Sequence, residues 1–95
     1  MNTYVILLQS TGLKLTKPLI LRHIDHLRRL DDKGLYLLGG PFVDSNNGMI
    51  VVFAMNKEDA NQIAASDPFV QEGARTYEVC QMELANRSNH YLSKE

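Results

Sequence analysis

The chain has 95 residues and a mass of 10.8 kDa, room for one domain and no second. Ten basic residues against eleven acidic leave a formal charge of −1 and a pI near 6.3 with no long like-charge run, so nothing electrostatic points to nucleic acid, an anionic membrane or an acidic partner. A lone cysteine, Cys80, excludes an internal disulfide framework and every multi-cysteine metal site.

Residues 3–9, Thr-Tyr-Val-Ile-Leu-Leu-Gln, are apolar on both alternating faces, which predicts a strand covered on both sides. Ser10-Thr11-Gly12 ends it. Thr16-Lys17-Pro18 reads as a helix start, a hydroxyl to cap free amides followed by proline in the first turn. From Leu19 to Lys33 the spacing of apolar residues becomes helical, and Gly34 stands where a C-terminal cap belongs.

Residues 35–38, Leu-Tyr-Leu-Leu, predict a short strand running into Gly39-Gly40-Pro41, and Asp44-Ser45-Asn46-Asn47-Gly48 predicts a hairpin turn. Residues 49–55, Met-Ile-Val-Val-Phe-Ala-Met, form the strongest strand signal in the chain. Asn56 then caps a second helix with Glu58 and Asp59 in its first turn, and this helix must stop before Pro68. One further turn is expected around residues 69–73, and alternation over residues 76–84 predicts the last strand, with Cys80 as a small buried residue on it. We expect one domain over residues 1–84 and a polar tail or oligomer arm over 85–95.

The order β-α-β-β-α-β is that of a split βαβ unit: an α+β fold with a four-stranded antiparallel sheet and two helices on one face. Two strands apolar on both sides then leave the second sheet face uncovered, which packing against another copy would remedy. A homodimer is therefore expected. The longest apolar runs fall far short of the roughly 18 residues of a membrane span, and Met-Asn-Thr-Tyr lacks the basic start of a signal peptide. No membrane partner and a cytoplasmic location are the expectation. The same element order occurs in an RNA-recognition module, but the third strand here carries one aromatic and no basic residue, which argues against RNA.

On a wheel at about 100° per residue, Ile20, Ile24, Leu27 and Leu30 mark the inward stripe of the first helix. His23 falls between Leu27 and Leu30, and His26 lies at the edge of the stripe. An inward imidazole has two readings: a packed histidine bonded to the backbone, or a general acid/base group in a pocket between helix and sheet. The second needs an orienting carboxylate, and Asp67 in Ser66-Asp67-Pro68-Phe69 is a candidate; its alternative is a turn residue binding nearby amides. Gly39-Gly40-Pro41 is no phosphate loop, because no Lys-Ser/Thr follows, and it reads instead as backbone that approaches a chain or a ligand closely. Arg75 and Tyr77 read either as pocket wall or as edge residues. His23 and His26 are three apart, but His90 lies in the tail and no His-Glu-x-x-His exists, so no metal is expected.

Taken together, His23-Ile24, Leu27, Leu30, Gly34 and Gly40-Pro41, followed by Ser66-Asp67-Pro68-Phe69-Val70, Gly73 and Tyr77-Glu78-Val79, resemble the YciI-like (YCII-related) family over roughly residues 3–83. The resemblance implies a ferredoxin-like subunit that joins a second copy as a dimeric α+β barrel. It also implies that His23 and Asp67, matching the family's two motif positions, form a His–Asp dyad. Some relatives are dehydrochlorinases acting on chlorinated hydroquinones, and lactone isomerases share the barrel. Two departures stand out: a long first loop over residues 9–17 carrying Lys14 and Lys17, and a last strand continuing as Met82-Glu83-Leu84.

The expectation is a cofactor-independent lyase or isomerase moving a proton on a small cyclic metabolite. His23 would transfer the proton and Asp67 would orient it, with Gly39, Gly40, Pro41, Phe69 and Tyr77 binding substrate. Two alternatives share the scaffold: a non-catalytic small-molecule binding or regulatory module, and a dimeric-barrel monooxygenase.

Overall fold

The computed structural model describes residues 1–94. In chain order it contains β1 (Asn2–Ser10), α1 (Lys17–Asp32), β2 (Tyr36–Pro41), β3 (Gly48–Ala54), α2 (Lys57–Ala65), the single turn α3 (Pro68–Gln71) and β4 (Arg75–Met82). A short 3-10 segment, Arg87–Leu92, follows. The four strands form one antiparallel sheet in the order β2-β3-β1-β4. This is the ferredoxin-like arrangement. The two strands with apolar residues on both faces, β1 and β3, occupy its centre, where each has a neighbour on either edge.

Register sets the core. Ile6 pairs with Ile50 on one side and Val79 on the other, and Tyr4 pairs with Val52, so these side chains share one face. With Leu8 they pack against Leu30 of α1 and Ala60 and Ala64 of α2, which places both helices on that face. The alanines let α2 lie close to the strands, and all the buried members of this cluster are less than a tenth exposed.

Helix ends follow the local sequence. The Thr16 hydroxyl accepts from the Leu19 amide at 3.4 Å, and Pro18 enters the first turn. At the other end Gly34 takes φ +72°, so that its own amide reaches Asp31 O and the Leu35 amide reaches Leu30 O, both at 2.9 Å. That double closure is the Schellman arrangement, and it turns the chain sharply into β2.

The structure departs from the sequence expectations at three points. Gly39, Gly40 and Pro41 lie inside β2 and not in a loop beyond it. An edge strand tolerates the proline, and Gly39 is needed because a Cβ there would lie 2.8 Å from both Ile50 Cγ2 and Met49 O. Cys80 is exposed where burial was expected. It pairs with Val5, and alternation therefore puts it on the face away from the helices, while its neighbour Val79 enters the core. Finally, β4 ends at Met82, short of Leu84.

The helix-free face of the sheet is apolar. Leu38, Val51, Val5 and Cys80 run across it in one row, and Leu38 is 52% exposed. Among the described residues, no helix is long and apolar enough to cross a membrane.

Candidate functional site

Asp67 is the centre of the site, and its placement begins with Pro68. A residue before proline is pushed out of the helical region, and Asp67 accordingly adopts φ −64°, ψ 126°. That ends α2 and starts α3. The Asp67 side chain caps α3, with Oδ1 accepting the Phe69 amide at 2.9 Å. The same oxygen lies 2.8 Å from Nδ1 of His23, which stands nearly two turns into α1 and 44 residues earlier in the chain. A carboxylate only accepts, so the network assigns a proton to Nδ1 and leaves Nε2 as the free lone pair of the ring.

The cap also fixes the third member. Phe69 stacks on His23 with ring centroids 3.9 Å apart and 6° between the planes. Gly73, at φ +77°, closes α3 by donating to Val70 O at 3.0 Å, while the Ala74 amide reaches Phe69 O at 2.9 Å. The chain thereby enters β4 with Arg75 over the Phe69 ring, its guanidinium carbon 5.6 Å from the centroid. A single Asp-Pro-Phe turn thus organises His23, Phe69 and Arg75.

His23 forms part of the wall of a largely apolar cavity of about 330 Å³ between α1 and the β2–β3 end of the sheet. Gly39, Gly40, Pro41 and Phe69 line the same cavity. A Cβ on Gly40 would meet nothing within 4 Å, so that position opens onto free space, unlike tightly packed Gly39. Tyr77 is not among the lining residues; it stands opposite Leu8 on the edge strand β4, 36% exposed. Arg75, two residues earlier, takes a place in the wall.

Two polar wall residues, Tyr36 and Asn47, were not among the sequence's site candidates, and a third, Arg75, was open there between wall and edge. Burial, and secondarily the charge of Asp31, raises the Tyr36 phenol above its ordinary range, so it remains a neutral hydroxyl near neutral pH. Asn47 uses its Oδ1 to accept the Ser10 amide at 2.8 Å, which turns its amide nitrogen into the available group. The signals were present but weak: one phenol in an aliphatic strand, and one arginine directly after Gly73 at the entry to the last strand.

His26 is distinct from His23 in partner and surroundings. It is 7% exposed, more buried than its place at the stripe's edge suggested, and it borders a second, more open groove of about 500 Å³ together with Arg29, Lys33, Asp59 and Ser66. Burial lowers its pKa below 6.5, with the charges of His23 and Arg29 acting in the same direction; Asp67 and the Ile63 backbone oppose the shift. Its Nε2 and Asp67 Oδ2 are buried without a hydrogen-bond partner among the described residues. No group of three or more His, Cys, Asp or Glu among those residues could hold a metal ion.

Comparison with known proteins gives three results. The model of the YCII-related domain matches residues 3–83. An uncharacterized Bacillus subtilis (strain 168) protein, YjpA, is 30% identical over 84 residues, spanning 88% of this chain and 98% of its own length. Among solved structures, 5-chloro-2-hydroxyhydroquinone dehydrochlorinase (TftG) from Burkholderia phenoliruptrix AC1100, in complex with 2,5-dihydroxybenzoquinone, superposes with a TM-score of 0.66. That match covers 85% of this chain and 93% of the other at 16% identity, a likeness of fold.

Proposed function

The chain belongs to the YCII-related family, and from that premise we propose that it is a small lyase or isomerase that moves a proton on a cyclic metabolite. The observation carrying this reading is the 2.8 Å bond from His23 Nδ1 to a fully buried Asp67, made at the wall of an apolar cavity. The unprotonated Nε2 is the general base. Asp67 is the positioning residue: it holds the tautomer, and the charge that forms on the imidazole during transfer meets its carboxylate on one edge and the Phe69 π face on the other side. At about 330 Å³ the cavity suits a single ring in size.

The Burkholderia neighbour is named for loss of chloride from a chlorinated hydroxyhydroquinone, and that compound is the first to try here. The test follows chloride release from it, and hydrogen–deuterium exchange at ring carbons of related cyclic enols, by NMR in deuterium oxide. Turnover that is lost in His23→Ala and kept in His26→Ala supports the proposal. Tight binding with neither exchange nor chloride release, unchanged in His23→Ala, refutes it in favour of a binding module.

The working unit proposed is a homodimer in the cytoplasm, joined through the helix-free sheet face. Leu38, Val5, Val51 and the exposed Cys80 form a contiguous apolar row there, and a free thiol suits a reducing compartment. Light scattering after size exclusion should give twice 10.8 kDa, and a lone 10.8 kDa species at micromolar concentration would contradict it.

A further inference from the structure

The polar groups in the cavity wall are unequal in kind. Arg75, the Asn47 amide nitrogen and the Tyr36 hydroxyl are all able to donate, and no carboxylate side chain lines the cavity to receive them. Arg75 is the extreme case. One of its nitrogens, Nη1, donates to the Ala74 carbonyl at 2.8 Å, and among the described residues the rest of the fork has no hydrogen-bond or ion-pair partner. Its guanidinium carbon lies over the Phe69 ring, which also stacks on His23, so the guanidinium is held one aromatic ring away from the proposed base. A half-buried guanidinium in a largely apolar wall is costly to leave uncompensated, and a planar fork matches two oxygens of an anion.

We infer that Arg75 is the specificity-determining residue of this cavity, selecting a flat single ring that carries an anionic oxygen, as carboxylate, phenolate or enolate, over neutral rings of the same shape. The inference rests on the cavity being the ligand site. The anion pairs with the Arg75 fork, Asn47 and Tyr36 supply further donors, and the aliphatic walls from Ile24, Leu27 and Ile50 enclose the ring. The ring is thereby held with one end at Arg75 and another within reach of His23 Nε2.

A matched pair of probes tests this by binding alone, without turnover: 4-hydroxybenzoate and its neutral counterpart 4-hydroxybenzamide, titrated calorimetrically and by amide chemical-shift mapping. A charge-assisted hydrogen bond contributes about 1.5–3 kcal/mol, so the native protein should prefer the acid by about tenfold to a hundredfold. Arg75→Gln should weaken the acid by that factor and leave the amide nearly unchanged. Arg75→Lys should keep part of the preference, and Arg28→Gln, a change on the solvated face of α1, should keep all of it. Because the two probes are compared on the same variant, any loosening of the Phe69 stack lowers both and cancels. Equal binding of both probes to the native protein, or equal weakening of both in Arg75→Gln, overturns the assignment of Arg75 while the cavity stands as a ligand site. If neither probe shifts the resonances of the cavity residues, the inference falls together with the reading of the cavity.

Discussion

Removing the Asp67 side chain tests the hub of the site directly. Oδ1 accepts two bonds, from the Phe69 amide at 2.9 Å and from His23 Nδ1 at 2.8 Å, inside a residue with no solvent exposure. Loss of the α3 cap costs about 0.5–2 kcal/mol. Leaving the His23 Nδ1–H without its acceptor, in a side chain only 14% exposed, costs about 1–3 kcal/mol. Relief of the orphaned Oδ2 offsets part of this. We therefore expect Asp67→Ala to lower stability by about 2–4 kcal/mol, a large share of the roughly 5–15 kcal/mol typical of a folded domain. Asp67→Asn, which keeps an oxygen for the cap, should cost less. Urea denaturation at fixed protein concentration measures both, and a cycle with His23→Ala isolates the pair. A coupling of about 1–3 kcal/mol is expected for a charge-assisted bond. Additivity within about 0.5 kcal/mol would show that the two residues do not act together and would refute the argument. Amide exchange adds a local readout, because the Phe69 amide should lose protection in Asp67→Ala.

The two glycines of β2 should respond differently to alanine. Gly39→Ala drives a Cβ to 2.8 Å from Met49 O, and overpacking of this kind costs about 1–3 kcal/mol in a denaturation midpoint; Gly40→Ala meets open space and should stay within about 0.5 kcal/mol. Phe69→Ala removes a side chain packed against Leu19 and Ala74 as well as the His23 stack, so thermal unfolding should show a loss of about 3–5 kcal/mol. The depressed His26 pKa means that the unfolded chain binds its proton more readily. The stability His26 contributes is therefore complete above pH 6.5 and is lost as pH falls from there toward the folded-state value. His26→Leu should flatten the decline in stability between pH 7 and pH 5, and an unchanged slope in urea denaturation would contradict the sign.

The candidate site was legible to different depths. His23 was readable from one helix alone, because four apolar residues at helical spacing, Ile20, Ile24, Leu27 and Leu30, define which way the ring must point. Its partner was less legible: Asp67 lies 44 residues on, and its Asp-Pro turn made it one candidate carboxylate with a plain turn residue as the alternative, until the structure put the two 2.8 Å apart. Tyr77 and Arg75 were indistinguishable as edge or wall residues. The Gly73 turn settles their placement by starting β4 at Arg75, beside Phe69. Cys80 was misjudged because alternation fixes which residues share a face and leaves open which face is covered.

The sequence by itself determined the elements and their order, since caps, proline, glycine and hydrophobic period act within a few residues of where they stand. It also showed that both central strands carry apolar residues on two faces. The tertiary structure decided which side chains meet: the shared bond of Asp67 to His23 and Phe69, the Phe69 stack between imidazole and guanidinium neighbours, and a cavity walled by residues from distant parts of the chain. Those contacts depend on strand register and on the seating of α1 against the sheet, and both are set by the packing of the whole core at once.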